Sequence, residues 1–136
     1  MMVVLCLSMA ACAGNSTKQA EATPRKDGVE VLYFHTKQRC ATCVAIERET
    51  KAVVNKQFAN ALSKGTLSLR VIDITQAENE ALADKYEVTW SSLIIVKHTN
   101  GKEQAENLTR FAFANARNNP EVFRRNLSEL LNKLLD

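Results

Sequence analysis

The chain is poor in the residues that interrupt or staple a fold. Four of its 136 residues are Gly and two are Pro. That is too few for a loop-rich fold or a disulfide scaffold. Aromatic residues make up 6%, and no basic stripe carries interleaved aromatics. This argues against nucleic acid as a partner. The apolar leader Met1–Gly14 falls short of the roughly 20 residues a membrane-spanning helix needs. No Lys or Arg precedes Lys18, so that leader has no basic lead-in. Only two His are present, His35 and His98.

What is there suits one globular domain. Hydrophobic residues are 46% and charged residues 24%, with a net charge of +3. These values and this length allow a single core to be buried. The four Cys fall into two groups, Cys6/Cys12 and Cys40/Cys43. Four Cys pair in three possible ways, but one group lies in the apolar leader and the other in a close-spaced motif. A structural disulfide framework does not follow.

Met1–Gly14 fits the apolar part of a secretory signal, about 7–15 residues long. It closes on Met9-Ala10-Ala11-Cys12. Small residues before a Cys resemble the lipobox of bacterial lipoprotein signals, although Met9 stands where that pattern usually has Leu. The resemblance implies cleavage before Cys12 and diacylation of its thiol. It points to an exported, periplasmic lipoprotein anchored in a membrane. The competing reading, a buried strand or helix, lacks any period-2 or period-3.6 pattern. Asn15–Asp27 holds no aromatic residue and no aliphatic larger than Ala, which reads as a flexible tether. The organisation is therefore a signal and lipobox segment at 1–12, a tether at 13–28 and a domain at 29–136.

Within the domain, Val29–Phe34 is nearly continuous in apolarity, as in a strand buried on both faces. Ala41–Ser63 carries one helical stripe through Ile46, Thr50, Val53/Val54, Phe58 and Leu62, and Gly65 stops it. Leu67–Asp73 is a second strand. Thr75-Gln76-Ala77-Glu78 reads as a capping box opening a short helix to about Tyr86. Leu93–Val96 is a third buried strand. Asn100-Gly101 is a strong hairpin signal leading to a polar edge strand, about Lys102–Leu108. Asn119-Pro120 opens a last helix as cap and first helical residue, with a stripe at Val122, Phe123, Leu127, Leu130/Leu131 and Leu134. The order is β-α-β-α-β-β-α. Helical links among the first three strands predict right-handed parallel crossovers, with the hairpin as an antiparallel edge.

Cys40-Ala41-Thr42-Cys43 lies after the first strand and opens the long helix. A C-x-x-C at that turn of this element order resembles thioredoxin, over Val29–Asp136. The resemblance implies an α/β thioredoxin-like fold with a mixed central sheet flanked by helices. It implies thiol–disulfide oxidoreductase activity on a redox partner protein, with no cofactor, and a monomer is expected. The physical chemistry agrees. Backbone N–H groups at a helix start favour a thiolate, so Cys40 reads as the attacking thiol. Cys43, one turn further in, reads as the resolving thiol. Arg39 and Lys37 flank the pair as candidate stabilising cations. A structural zinc site needs two further ligands, and only His35 and His98 remain. An inert structural disulfide is the other competing reading.

His35, five residues before Cys40, is a candidate base or tuning group, set against the favoured reading of a strand-end residue facing solvent. His98 reads as a surface residue beside the hairpin, and Trp90 as a core or packing residue, with a place flanking the active-site groove as the other reading. Three departures from the thioredoxin pattern stand out. Arg39 and Ala41-Thr42 replace the usual Trp and Gly-Pro around the first Cys. Phe34 replaces the buried Asp of the first strand. Ser92 occupies the position of the loop proline that usually faces the sulfurs with a cis bond. A cis bond before a non-proline residue costs roughly 2.5–4 kcal/mol, so a trans Ser91–Ser92 bond is expected, with the Ser92 hydroxyl near the sulfurs. The R-C-A-T-C run after Tyr33-Phe34-His35 also resembles a bacterial thioredoxin-like family named for nitroaromatic and arsenical reduction. No flavin site accompanies it. Two alternatives to redox exchange remain open. One is a soft-metal or metalloid (As/Cu) binding protein using the reduced dithiol, with His35 as a third ligand. The other is an interaction module with a vestigial site.

Overall fold

The computed structural model describes residues 26–136. The leader, Cys12 and the tether as far as Arg25 lie outside the described residues. The chain from Gly28 onward forms four strands and five helices: β1 (Gly28–His35), α1 (Ala41–Gln57), α2 (Ala59–Lys64), β2 (Leu67–Asp73), α3 (Glu80–Lys85), β3 (Ser92–Thr99), β4 (Lys102–Asn107), α4 (Thr109–Asn115) and α5 (Pro120–Leu135). A single 3-10 turn, Ala77–Asn79, precedes α3.

The sheet order is β2-β1-β3-β4. β1 lies in the middle, and Val31, Leu32, Tyr33 and Phe34 are fully buried, which explains its unbroken apolar run. Alternate residues feed two cores. Val29, Val31 and Tyr33 face Ile46, Val53, Phe123, Leu127 and Leu131 on the side covered by α1 and α5. Leu32 and Phe34 face Ile72, Ala83, Val88, Ile94 and Val96 on the α3 side. Helices thus cover both faces, as the element order implied.

β1 and β2 are parallel, as expected. β3 corrects the expectation: it runs antiparallel to β1, with Ser92 opposite Phe34 and His98 opposite Gly28. The helical part of the link, residues 77–85, spans about 15 Å at 1.5–2.0 Å per residue, so the helix itself does not carry the chain back along the roughly 23 Å of a seven-residue strand. The backbone then turns at Glu87, φ 54°, and β3 starts from the end of the sheet where β2 finished.

Four local expectations also change. The long helix breaks at Phe58 (φ −120°, ψ 26°), with neither Gly nor Pro between 41 and 64 to signal it. Phe58 turns into the core at that point. Gly65 does end the helical run, in the left-handed region at φ 74°. Its N–H donates to the Leu62 carbonyl (3.1 Å) and that of Thr66 to Ala61 (3.0 Å), a Schellman closure. The Thr75–Glu78 capping box does not form. The Asp73 carboxylate instead accepts from the Thr75 N–H (2.9 Å) and hydroxyl (2.7 Å), an Asx turn that competes with the cap. Helix α4 was not foreseen. Asn119 forms no side-chain cap, although Pro120 opens α5 as expected.

The hairpin follows its signal, with Asn100 and Gly101 at φ 52° and 76°. β4 is exposed along its whole length. Its Lys and Glu side chains suit an edge that must not pair with another chain.

Candidate functional site

The chain leaves β1 at His35 and enters α1 at Ala41, so Cys40 becomes the N-cap residue, extended at φ −73° and ψ 160°. Its Sγ accepts the Cys43 backbone N–H at 3.0 Å. Cap positions normally carry Ser, Thr, Asp or Asn oxygens in this role. Cys40 and Cys43 form a disulfide, their Cα atoms 5.0 Å apart. The two sulfurs differ in access. Cys40 is exposed, whereas Cys43 is 6% exposed. One sulfur is open to attack and the other is sheltered behind it.

Tyr33, fully buried in β1, supports the turn from below. Its hydroxyl donates to the Cys43 carbonyl at 2.8 Å. Burial pushes the phenol's pKa up, and interactions with Arg39 and Ser91 oppose this without cancelling it. The phenol therefore remains a donor at neutral pH. Sequence reading placed Tyr33 in a strand but not at the site, because a strand pattern does not show where a hydroxyl ends.

Arg39 ion-pairs with Glu47, and its guanidinium carbon lies 5.8 Å from the Tyr33 ring centroid. Glu47 also takes Lys51 at 2.5 Å. Burial alone would raise the Glu47 pKa, but Lys51 and Arg39 outweigh it and hold the carboxyl below its usual range. The cation beside Cys40 is thus shared with a carboxylate. Glu47 was missed, although a residue four beyond Cys43 shares its helix face. Lys37 is exposed.

His35 ends β1 half-buried, its Nδ1 3.0 Å from the Thr36 carbonyl oxygen and its ring stacked on Tyr33 at 6.2 Å. Among the described residues no peptide bond is cis, so Ser91–Ser92 is trans, as the missing proline predicted. Ser92 is buried and its hydroxyl donates to the Trp90 carbonyl at 3.1 Å, a contact within its own loop. Ser91 is the serine that bears on the Tyr33 phenol.

Two residues differ from expectation. Trp90 is not a core residue but 57% exposed, stacked on Phe113 at 5.0 Å. His98 is not on the surface: it is 6% exposed, with Nε2 2.7 Å from a Glu30 carboxylate oxygen. It sits at the opposite end of the sheet from Cys40, since it pairs with Gly28. Among the described residues no three His, Cys, Asp or Glu side chains converge as a metal-ligand set while Cys40 and Cys43 are joined as a disulfide.

A parallel β1–β2 pair, an antiparallel β3–β4 hairpin, helices on both faces and a C-x-x-C disulfide at the first helix start define a protein of the thioredoxin-like fold. Solved structures with this fold include an uncharacterised thioredoxin-like protein from Clostridium perfringens, 16% identical over 90% of this chain and 91% of that one, with a TM-score of 0.50. Fasciola hepatica thioredoxin is 22% identical over 80% and 83%, with a TM-score of 0.48. A Thermus thermophilus thioredoxin is 15% identical over 74% and 73%, with a TM-score of 0.45. No family model matches the chain, and no curated protein matches its sequence.

Proposed function

We propose that the chain is a thiol–disulfide oxidoreductase acting on a partner protein outside the cytoplasm, held at a membrane through a diacylated Cys12. The observation that carries the redox step is the unequal pair: an exposed N-cap sulfur in contact with a backbone N–H, linked to a buried one. In the reducing direction the Cys40 thiolate attacks a sulfur of a partner disulfide. A Cys40–partner bond forms and the partner's other sulfur leaves as a thiolate. Cys43 then loses its proton and attacks the Cys40 sulfur. The Cys40–Cys43 bond forms, the second partner thiolate departs, and two electrons have passed to the partner. In the oxidising direction a partner thiolate attacks the exposed Cys40 sulfur and each step reverses. The Cys43 N–H contact and the helix start stabilise the Cys40 thiolate in both directions. In an oxidising periplasm the unassisted pair rests as a disulfide, so net reduction of a partner requires a donor of electrons at the membrane.

The test is a Cys43→Ser chain expressed in an exporting bacterium. Without the resolving thiol, a partner is expected to accumulate as a mixed disulfide on Cys40 in the membrane fraction. Adding Cys12→Ala should move the trapped complex to the soluble fraction and abolish fatty-acid labelling. No mixed disulfide with Cys43→Ser sinks the exchange reading. Unchanged fractionation with Cys12→Ala sinks the anchor.

A further inference from the structure

We propose that Glu47 is a positioning residue of the redox pair: it competes with the Cys40 thiolate for the Arg39 guanidinium. Opening the Arg39–Glu47 pair and charging the Cys40 sulfur are then one coupled event. This deepens the oxidoreductase reading above and rests on it.

The placement of Glu47 is the first observation. Cys43, Glu47 and Lys51 stand four residues apart on one face of α1. Glu47 takes Arg39, the residue that precedes Cys40, and also Lys51 at 2.5 Å. The carboxylate therefore joins the helix that holds the buried sulfur to the loop that delivers the exposed one. The Arg39 and Glu47 side chains are 28% and 17% exposed, so solvent screens their charges only in part.

The second observation is that each member has another partner. The Arg39 guanidinium carbon lies 5.8 Å from the Tyr33 ring centroid, and the Tyr33 hydroxyl donates to the Cys43 carbonyl at 2.8 Å. Without Glu47 the guanidinium keeps a seat on a side chain that itself touches the redox pair. Glu47, in turn, keeps Lys51 when it gives up Arg39. The costly outcome, a charge left without a counter-ion, is avoided on both sides. The contact is built to open.

The third is the charge that appears on reduction. In the disulfide neither sulfur is charged, and Arg39 rests on Glu47. A dithiol reductant supplies two electrons. The Cys40–Cys43 bond breaks, Cys40 is left as a thiolate and Cys43 takes a proton. The reductant's two sulfurs join as its own disulfide, and its other proton goes to water. One guanidinium then serves two anions, Glu47 and the Cys40 thiolate. The other ionisable groups about the turn are Lys37, which is exposed, and His35, which stacks on Tyr33 and pairs across the sheet with Asp73. The coupling is reciprocal: what holds Arg39 on Glu47 disfavours the thiolate, and the thiolate loosens the ion pair by the same factor.

The full chain is reduced, and alkylation of Cys40 by iodoacetamide is followed against pH. Its equilibrium with reduced and oxidised glutathione is measured alongside. Glu47→Gln is expected to move the alkylation profile to lower pH, with about three-fold more thiolate below the midpoint, the scale of one semi-exposed ion pair. The glutathione equilibrium should move toward the reduced pair by about the same factor. Lys51→Met, which leaves Glu47 with Arg39 alone, should move both the other way. Lys51 is exposed, so this variant keeps the test open if Glu47→Gln does not fold. In an Arg39→Met chain neither substitution should move the profile, because the effect passes through Arg39. An unmoved profile in Glu47→Gln, a shift to higher pH, or a shift that persists in the Arg39→Met chain overturns the proposal. A wild-type chain that does not exchange with glutathione removes the redox reading, while the alkylation profiles still decide the role of Glu47.

Discussion

At the scale of single residues, the site depends on where a few side chains end. Cys40 contributes an exposed sulfur because it is the cap of α1, and Cys43 a sheltered one because it lies one turn into the helix. That pair, and its place at the start of α1, can be read from spacing and element order. The partners of Tyr33, Glu47 and His98 cannot, because they come from other elements or depend on rotamers. His98 carries the largest energetic consequence. Its imidazole lies 2.7 Å from Glu30 Oε2 and 3.7 Å from Glu103 Oε1, with His98 and Glu30 both buried. Removing one partner of a buried hydrogen bond costs about 1–3 kcal/mol. His98→Ala is therefore expected to lower unfolding free energy by about that amount, measured by chemical denaturation. A loss below 1 kcal/mol would mean that the pair contributes little to the fold.

At the scale of elements, strand and helix identities follow from pattern, whereas direction and breaks do not. The apolar run of β1, the Asn100-Gly101 turn and the Gly65 stop are local signals and they hold. The break at Phe58 carries no local signal, since it is set by the core that receives the ring. Helix α4 is short and rests on pairing with the start of β3 through Thr109, so its stability is tertiary. The capping box fails because Asp73, two residues earlier, offers Thr75 a closer acceptor. Gly28 shows how tightly β1 meets the loop before β2. Its φ is +153°, and a Cβ there would lie 2.7 Å from the Thr66 carbonyl oxygen, the same oxygen that accepts the Val29 N–H at 2.8 Å. Gly28→Ala must shift that backbone, at about 1–3 kcal/mol. The denaturation midpoint is expected to fall with an unchanged slope. An unchanged midpoint would show that the loop yields freely.

At the scale of the whole molecule, two cores on opposite faces of one sheet are held together with a rim of charge pairs. Lys85 bonds to Glu103 and holds its carboxyl below the usual range. Lys51 and Arg39 do the same for Glu47 against the effect of burial. Hydrogen bonds from Thr75 lower that of Asp73. Each group is more acidic folded than unfolded, so between the two values the unfolded chain binds more protons. The stability these groups contribute is present above their unfolded values, about pH 4, and is lost as pH falls through the lower folded values. Unfolding free energy should hold steady from pH 7 to about 5 and drop below about 4. Glu103→Gln should make that acid drop shallower. A denaturant series across this range checks both, and a drop of equal steepness in the variant would remove Glu103 from the account.

The sequence by itself determined the class of fold and the position of the C-x-x-C at a helix start. Those depend on periodicity, on a turn's backbone demands and on spacing within four residues, all properties of adjacent chain. Tertiary structure alone decided that β3 runs against β1, that Trp90 faces outward on Phe113, that Glu47 takes Arg39 and that His98 is buried on Glu30. Each of these joins residues that are distant in the chain or turns on which way a short link doubles back. Such choices are settled by which surfaces are buried together, and no local pattern records that.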